Sequence, residues 1–134
     1  MPLPLCLSVR EEPASAMLRG VLDADPDIVV WWGSLIECWS ALARRRGEGL
    51  LTLEDEDVAR AVLERLRAAW SEIQPVEEVR VHAARLLRTH ALRSQDAAQL
   101  AAALVWAGGR PGDFVVLDQR LRDVARREGF IPLP

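Results

Sequence analysis

Apolar residues recur along this chain in two rhythms, short continuous runs alternating with longer helical spacing, and that alternation sets the expected fold. Between Ala14 and Asp23, Met17, Leu18, Val21 and Leu22 fall on one helical face, and Asp25-Pro26-Asp27 stops it, which predicts a short amphipathic helix. Ile28 to Trp31 is an unbroken apolar, β-branched run, suited to a strand covered on both faces in a parallel sheet. Gly33 and Ser34 open a second helix through about Arg46, and Gly47 to Gly49 breaks it. Thr52 followed by Asp55 resembles a capping box ahead of Val58, Val62, Leu63, Leu66 and Trp70, a third amphipathic helix.

Ile73 to Val76 is short and interrupted by Pro75, so a strand there belongs at a sheet edge. Glu78 to His90 repeats the helical period through Val79, Ala83, Leu86 and Leu87. Ser94 is placed to cap the next helix, which is apolar on most sides through Ala97, Leu100, Ala101, Leu104 and Val105 until Gly108 and Gly109 end it. A helix of that kind is expected to be buried. After Pro111-Gly112 come a β-prone run, Phe114 to Leu117, a helix from about Gln119 to Glu128 stopped by Gly129, and a brief last strand at Phe130-Ile131. Strands alternating with helices predict an α/β fold with a mainly parallel central sheet, flanking helices and right-handed crossovers. No repeat, low-complexity tract or linker divides residues 1–134, so a single domain is expected.

Half of the 134 residues are hydrophobic, enough for one core. No apolar run approaches the roughly 18 residues of a membrane span, and Met1 to Val9 lacks the basic start and cleavage site of a signal peptide. The expectation is a cytoplasmic protein with no membrane partner. Cys6 and Cys38 form no CxxC or Cys/His cluster, which removes a disulfide framework and a zinc site from consideration and leaves two reduced, mostly buried thiols. The net charge of −3 argues against a sequence-independent nucleic-acid coat. It leaves room for an enzyme acting on RNA, because an acidic active site lowers the net charge while Arg44 to Arg46, Arg85, Arg88 and Arg93 remain available to phosphates. Each of these arginines, taken singly, reads more readily as solvated helix surface.

The most informative feature is where isolated acids fall. Glu37 is the sole charged residue between Asp27 and Arg44, and its helical neighbours one turn away are Gly33, Ser34, Ser40 and Ala41. Asp96 is the sole charged residue between Arg93 and Arg110, in the first turn of the most apolar helix, and Asp118 closes the run Phe114 to Leu117. A partly buried carboxylate is unfavourable unless a partner charge, hydrogen bonds or a cation compensates it. In an open α/β sheet the carboxyl ends of the strands and the adjoining helix starts face one crevice, where all three acids can meet around magnesium or manganese. The competing structural reading makes Asp96 a helix-start acid, Asp118 a cap and Glu37 half of a salt bridge. It is the better account of Asp96 and Asp118 singly, whereas the coincidence of three moves the balance toward a site. His82 and His90 do not match a metal pair on one helix face and read as ordinary helical histidines. A small-molecule enzyme is disfavoured, since no Gly-rich phosphate loop follows a strand and no GxSxG elbow is present.

The same positions carry a family resemblance. Ile36-Glu37-Cys38-Trp39-Ser40-Ala41-Leu42, Leu92 to Leu104 around Asp96, and Phe114-Val115-Val116-Leu117-Asp118-Gln119-Arg120-Leu121 resemble the segments bearing the second, third and fourth acidic residues of PIN-domain ribonucleases, especially VapC-like toxins. The likeness runs from about Val9 to Pro134. It implies a PIN-like three-layer domain, hydrolysis of RNA phosphodiesters with Mg²⁺ (or Mn²⁺), Glu37, Asp96 and Asp118 as catalytic and metal-site residues, a cognate antitoxin and a homodimer. This chain departs from the pattern at the front, where the family has a strand ending in a catalytic aspartate. No acid precedes Glu11, and Leu5 to Pro13 looks like the family's first helix. A shortened form of an active protein and a degenerate member are both compatible with that. A third possibility is that Leu3, Leu5, Leu7 and Val9, alternating with period two, rebuild the strand without its acid. The alternative function is an inactive PIN-like binding module that engages an antitoxin or itself, with Trp31, Trp32, Trp39, Trp70 and Trp106 available to an interface, although such residues are more often core.

Overall fold

The computed structural model describes residues 3–5, 28–108, 113–115 and 119–133. Along the chain lie β1 (Leu3–Leu5), β2 (Ile28–Trp31), α1 (Ser34–Gly47), α2 (Leu53–Arg67), β3 (Ser71–Ile73), α3 (Glu77–Thr89), α4 (Ser94–Ala107), β4 (Asp113–Val115), α5 (Gln119–Arg127) and β5 (Ile131–Leu133). The fold is mixed α/β, as expected. Among the described residues five strands pair in parallel in the order β3-β2-β1-β4-β5. The helix expected over Ala14 to Asp23 and the thiol of Cys6 lie outside the described residues.

β1 occupies the centre of the sheet. Leu3, Pro4 and Leu5 stand opposite Ile28, Val29 and Val30 on one side, and Leu5 stands opposite Val115 on the other. A strand is one of the possibilities that the alternation of Leu3, Leu5, Leu7 and Val9 offers; it is present over Leu3–Leu5, and Leu7 and Val9 lie outside the described residues. Pro4 has no N–H to give to either neighbour.

β3 is an edge strand, as its proline suggested, but it runs from Ser71 to Ile73 and Val76 becomes the N-cap of α3. Pro75 is the reason: its ring forbids the donor a continuing strand needs, and the sheet pairing ends with Trp32 N–H donating to the Ile73 carbonyl at 3.0 Å. The capping box of α2 forms in both directions, Asp55 N–H to Thr52 Oγ1 at 3.0 Å and Thr52 N–H to Asp55 Oδ2 at 2.9 Å. α4 starts differently from expectation. Arg93 is its N-cap, without a side-chain bond, and Ser94 is already helical. Its end is as read, with Gly108 at φ +58°, a left-handed cap that any β-carbon would strain.

Two apolar clusters stabilise these elements. The larger gathers Val29, Ile73, Val79, Leu86, Leu100, Leu121, Val124 and Phe130 around the fully buried Ala101, Ala102 and Ala103, whose small side chains let α4 approach its neighbours closely. The smaller joins Leu35, Cys38 and Leu42 of α1 to Leu63 of α2. Trp31 and Trp106 pack on the first and Trp39 and Trp70 on the second, so four of the five tryptophans serve the core and Trp32 alone is exposed, at 44%. The thiol of Cys38 is buried and free, as expected.

Ion pairs tie helices where apolar contact is thin. Glu56, buried, takes Arg46 of α1 and Arg60 of α2, which also lies 5.4 Å from the Trp39 ring. His90 is not an interior helical residue but the C-cap of α3, with its Nε2 3.0 Å from Glu128. Glu128, just beyond α5, also accepts from Arg85 at 2.7 and 3.3 Å. Those partners hold the Glu128 carboxyl below its ordinary range, the Arg85 hydrogen bond contributing most. A lowered folded-state value contributes stability above the ordinary carboxylate range that is lost as pH falls through the folded value. We therefore expect Glu128→Gln to destabilise the chain by about 1–3 kcal/mol at pH 7, with the gap to wild type narrowing on acidification. Urea unfolding from pH 7 down to pH 4 checks this, and a constant gap would contradict it.

Candidate functional site

α1 begins where β2 leaves the sheet. Gly33 makes the tight turn, because a β-carbon there would come within 2.5 Å of the Trp31 indole nitrogen. From that start Ser34, Leu35, Cys38 and Leu42 turn inward, and Glu37 stands half-buried on the flank, its N–H making the first intrahelical bond, to the Gly33 carbonyl at 3.2 Å. α4 presents Asp96 and Gln99 three residues apart on one face, at 8% and 7% exposure. The two helices meet through these residues. The Gln99 amide Nε2 donates to Oε2 of Glu37, while Asp96 Oδ2 accepts from Arg93 Nε at 3.3 Å.

Electrostatics confirm that the acids share an environment. Burial raises the Glu37 carboxyl from 4.5 to about 7; the Gln99 hydrogen bond pulls it back, the charge of Asp96 raises it further, and Arg93 lowers it. The neighbouring Cys38 thiol is pushed up to about 11, by burial first and by Glu37 second, which makes it unreactive near neutrality.

Of the three acids read from the sequence, Glu37 and Asp96 are thus brought within electrostatic reach of each other. Asp118 lies outside the described residues, and the last described residue of its strand is Val115. The sheet order changes direction at β1, whose neighbours are β2 and β4, and this is the switch point where α/β sheets open a crevice at the strands' carboxyl ends. Among the described residues no group of three His, Cys, Asp or Glu side chains forms a metal cluster. The salt bridge expected for Glu37 by the structural reading is replaced by a neutral donor, Gln99. Asp96 does combine a first-turn position with an ion pair, as that reading has it, but it does so buried. Arg85 is committed to Glu128 and Arg93 to Asp96, whereas Arg44 and Arg88 are exposed.

Two residues of the site escaped the sequence reading. Gln99 left a signal, being the polar residue one turn after Asp96 on an otherwise apolar helix. Ser34 left none. Its Oγ is buried, one turn before Glu37, with no hydrogen-bond partner among the described residues.

Two consequences can be measured. A folded-state value raised above the ordinary 4.5 contributes stability that is fully present below about 4.5 and lost as pH rises through about 7. Glu37→Gln should remove that loss and leave the variant more stable than wild type at pH 8, by on the order of 1–2 kcal/mol once solvent screening of a half-buried group is allowed for. Denaturant titrations at pH 5 and pH 8 check it, parallel pH dependences of the two proteins being the contrary result. Ser34→Ala should raise stability by about 1 kcal/mol, because it deletes a buried hydroxyl that bonds to nothing among the described residues; a fall in the unfolding midpoint would show that the hydroxyl is bonded in solution.

Compared with known proteins, the chain matches no protein-family model and no curated protein.

Proposed function

We propose that this chain is a metal-dependent endoribonuclease with a PIN-like, three-layer arrangement, the toxin of a VapBC-type pair, acting in the cytoplasm. The observation that supports it best is the Gln99 bond that joins α4, one turn from Asp96, to Glu37 of α1, with the Glu37 carboxyl pushed up to about 7 by burial first and raised further by the charge of Asp96. A strongly shifted carboxyl is a candidate for a functional site, and the switch point of an α/β sheet is where such folds bind ligands. The donor set suits a hard cation: two carboxyl groups from α1 and α4, joined in this reading by Asp118, supply oxygen only.

In this reading Glu37, Asp96 and Asp118 hold Mg²⁺ or Mn²⁺, which lowers the pKa of a bound water and offsets charge on the phosphate under attack. Glu37 and Asp96 would have to be ionised to hold the cation, and Arg93, paired with Asp96 at the surface, would be available to a backbone phosphate of the RNA. Between Leu3 and Leu5 the central strand carries no acid, so one carboxylate of the family's four is absent from β1 and turnover should be slow.

A second reading, an inactive module that binds an antitoxin or a second copy of itself, draws on the exposed Trp32 and Ile36 at the start of α1. Incubation with labelled single-stranded RNA separates the two. The nuclease reading expects cleavage that requires Mg²⁺ or Mn²⁺, stops with chelator and falls by about 100-fold or more in Asp96→Asn and Glu37→Gln. Absence of cleavage with any RNA and either cation, together with dimerisation or antitoxin capture lost on Trp32→Ala, would favour the binding module.

A further inference from the structure

Gln99 sits in a helix whose other buried residues, apart from Asp96, are Ala97, Leu100, Ala101, Ala102, Ala103 and Ala107. A leucine there would add apolar contact, whereas a buried amide is tolerated only when its polar atoms are bonded. Its Nε2 is bonded to Oε2 of Glu37, a residue 62 positions earlier on another helix. One turn before it on the same face stands Asp96. A single helix face thus offers Glu37 two polar neighbours, a neutral donor and an acid.

We propose that Gln99 is a positioning residue: its amide holds the Glu37 carboxyl by one oxygen, turns the other toward Asp96, and thereby sets the affinity of the pair for a divalent cation. The proposal rests on the metal-site reading of Glu37 and Asp96. A glutamate on a helix flank samples several rotamers, and fixing one of them in advance removes an ordering cost from cation binding. The neutrality of the donor matters as well. Lysine or arginine at the same place would orient the carboxylate but also compensate its charge and compete with the cation; an amide orients it and leaves the charge in place. That accounts for a glutamine, rather than a cation or an apolar residue, at the point where α4 bonds to Glu37 of α1.

A purely structural tie between the helices would show the same hydrogen bond, so the test must separate the two. Mn²⁺ binding is measured by calorimetry on wild type, Gln99→Met, Glu37→Gln and the double variant, with unfolding midpoints of the metal-free proteins alongside. Methionine keeps the length and flexibility and lacks the donor. Positioning predicts a 10- to 100-fold weaker Mn²⁺ affinity for Gln99→Met at an unchanged or higher midpoint. It also predicts no further loss when Gln99→Met is added to Glu37→Gln, because the group being positioned is already gone. Equal losses in both backgrounds, or an unchanged affinity, would overturn it. A crystal structure of metal-free Gln99→Met supplies an independent reading: the Glu37 carboxyl should swing away from Asp96, and an unmoved carboxyl contradicts the proposal. If wild type binds no Mn²⁺, the metal-site reading and the affinity claim fail together, and the orientation of Glu37 in that crystal still decides whether Gln99 positions it.

Discussion

A carboxyl group half-buried on a helix flank, within reach of the charge of a second acid, is the constraint on which the candidate site depends. Burial and like charge both oppose ionisation of Glu37, and the chain sets against them one neutral donor and the partial screening of Arg93. Each supporting element follows from that arrangement. Gly33 lets α1 start hard against Trp31, so Glu37 arrives one turn into the helix at the mouth of the sheet. The run of alanines on α4 lets that helix come close enough for Gln99 to reach it. A protein selected for stability alone would replace such a pair by apolar residues of similar volume, commonly at no loss. Retaining it is the pattern expected where stability is given up for a site.

The sheet supplies the place. With β1 in the middle, between β2 and β4, the strand order reverses direction there, and α1, which carries Glu37, follows β2. No helix among the described residues is long and apolar enough to cross a membrane. Away from the mouth, charges are used differently. Glu56 and Glu128 sit between arginines, or between an arginine and a histidine, and bind helices together. Glu37, by contrast, takes its hydrogen bond from an amide, and burial raises its carboxyl to about 7.

Much of this was legible in the residues, for reasons that differ from one element to another. β2 was readable because Ile28 to Trp31 is both apolar and β-branched, and α2 because its capping box is a local, two-way hydrogen bond that needs no tertiary context. Ser94 misled because a serine before an apolar helix is the usual cap signal, whereas the extended backbone of the cap fell to Arg93. β3 ended earlier than its apolar residues suggested because Pro75 withholds a donor and Val76 turns into a helix. Glu37 and Asp96 stood out as charges in uncharged surroundings, a one-dimensional signal of burial. Their approach, the Gln99 bond across 62 positions, and the joining of His90 to Glu128 across 38 are long-range facts that periodicity does not encode.

The central claim is that Glu37 and Asp96 form one cation site. A crystal soaked in Mn²⁺ and measured at the manganese absorption edge tests it most directly, since anomalous scattering locates the ion without reference to activity or fold. The account requires a peak between the two carboxyl groups, at coordination distance from an oxygen of each, with Arg93 displaced from Asp96. An empty position there in a crystal saturated with Mn²⁺, with Gln99 and Arg93 still holding the acids, would contradict it.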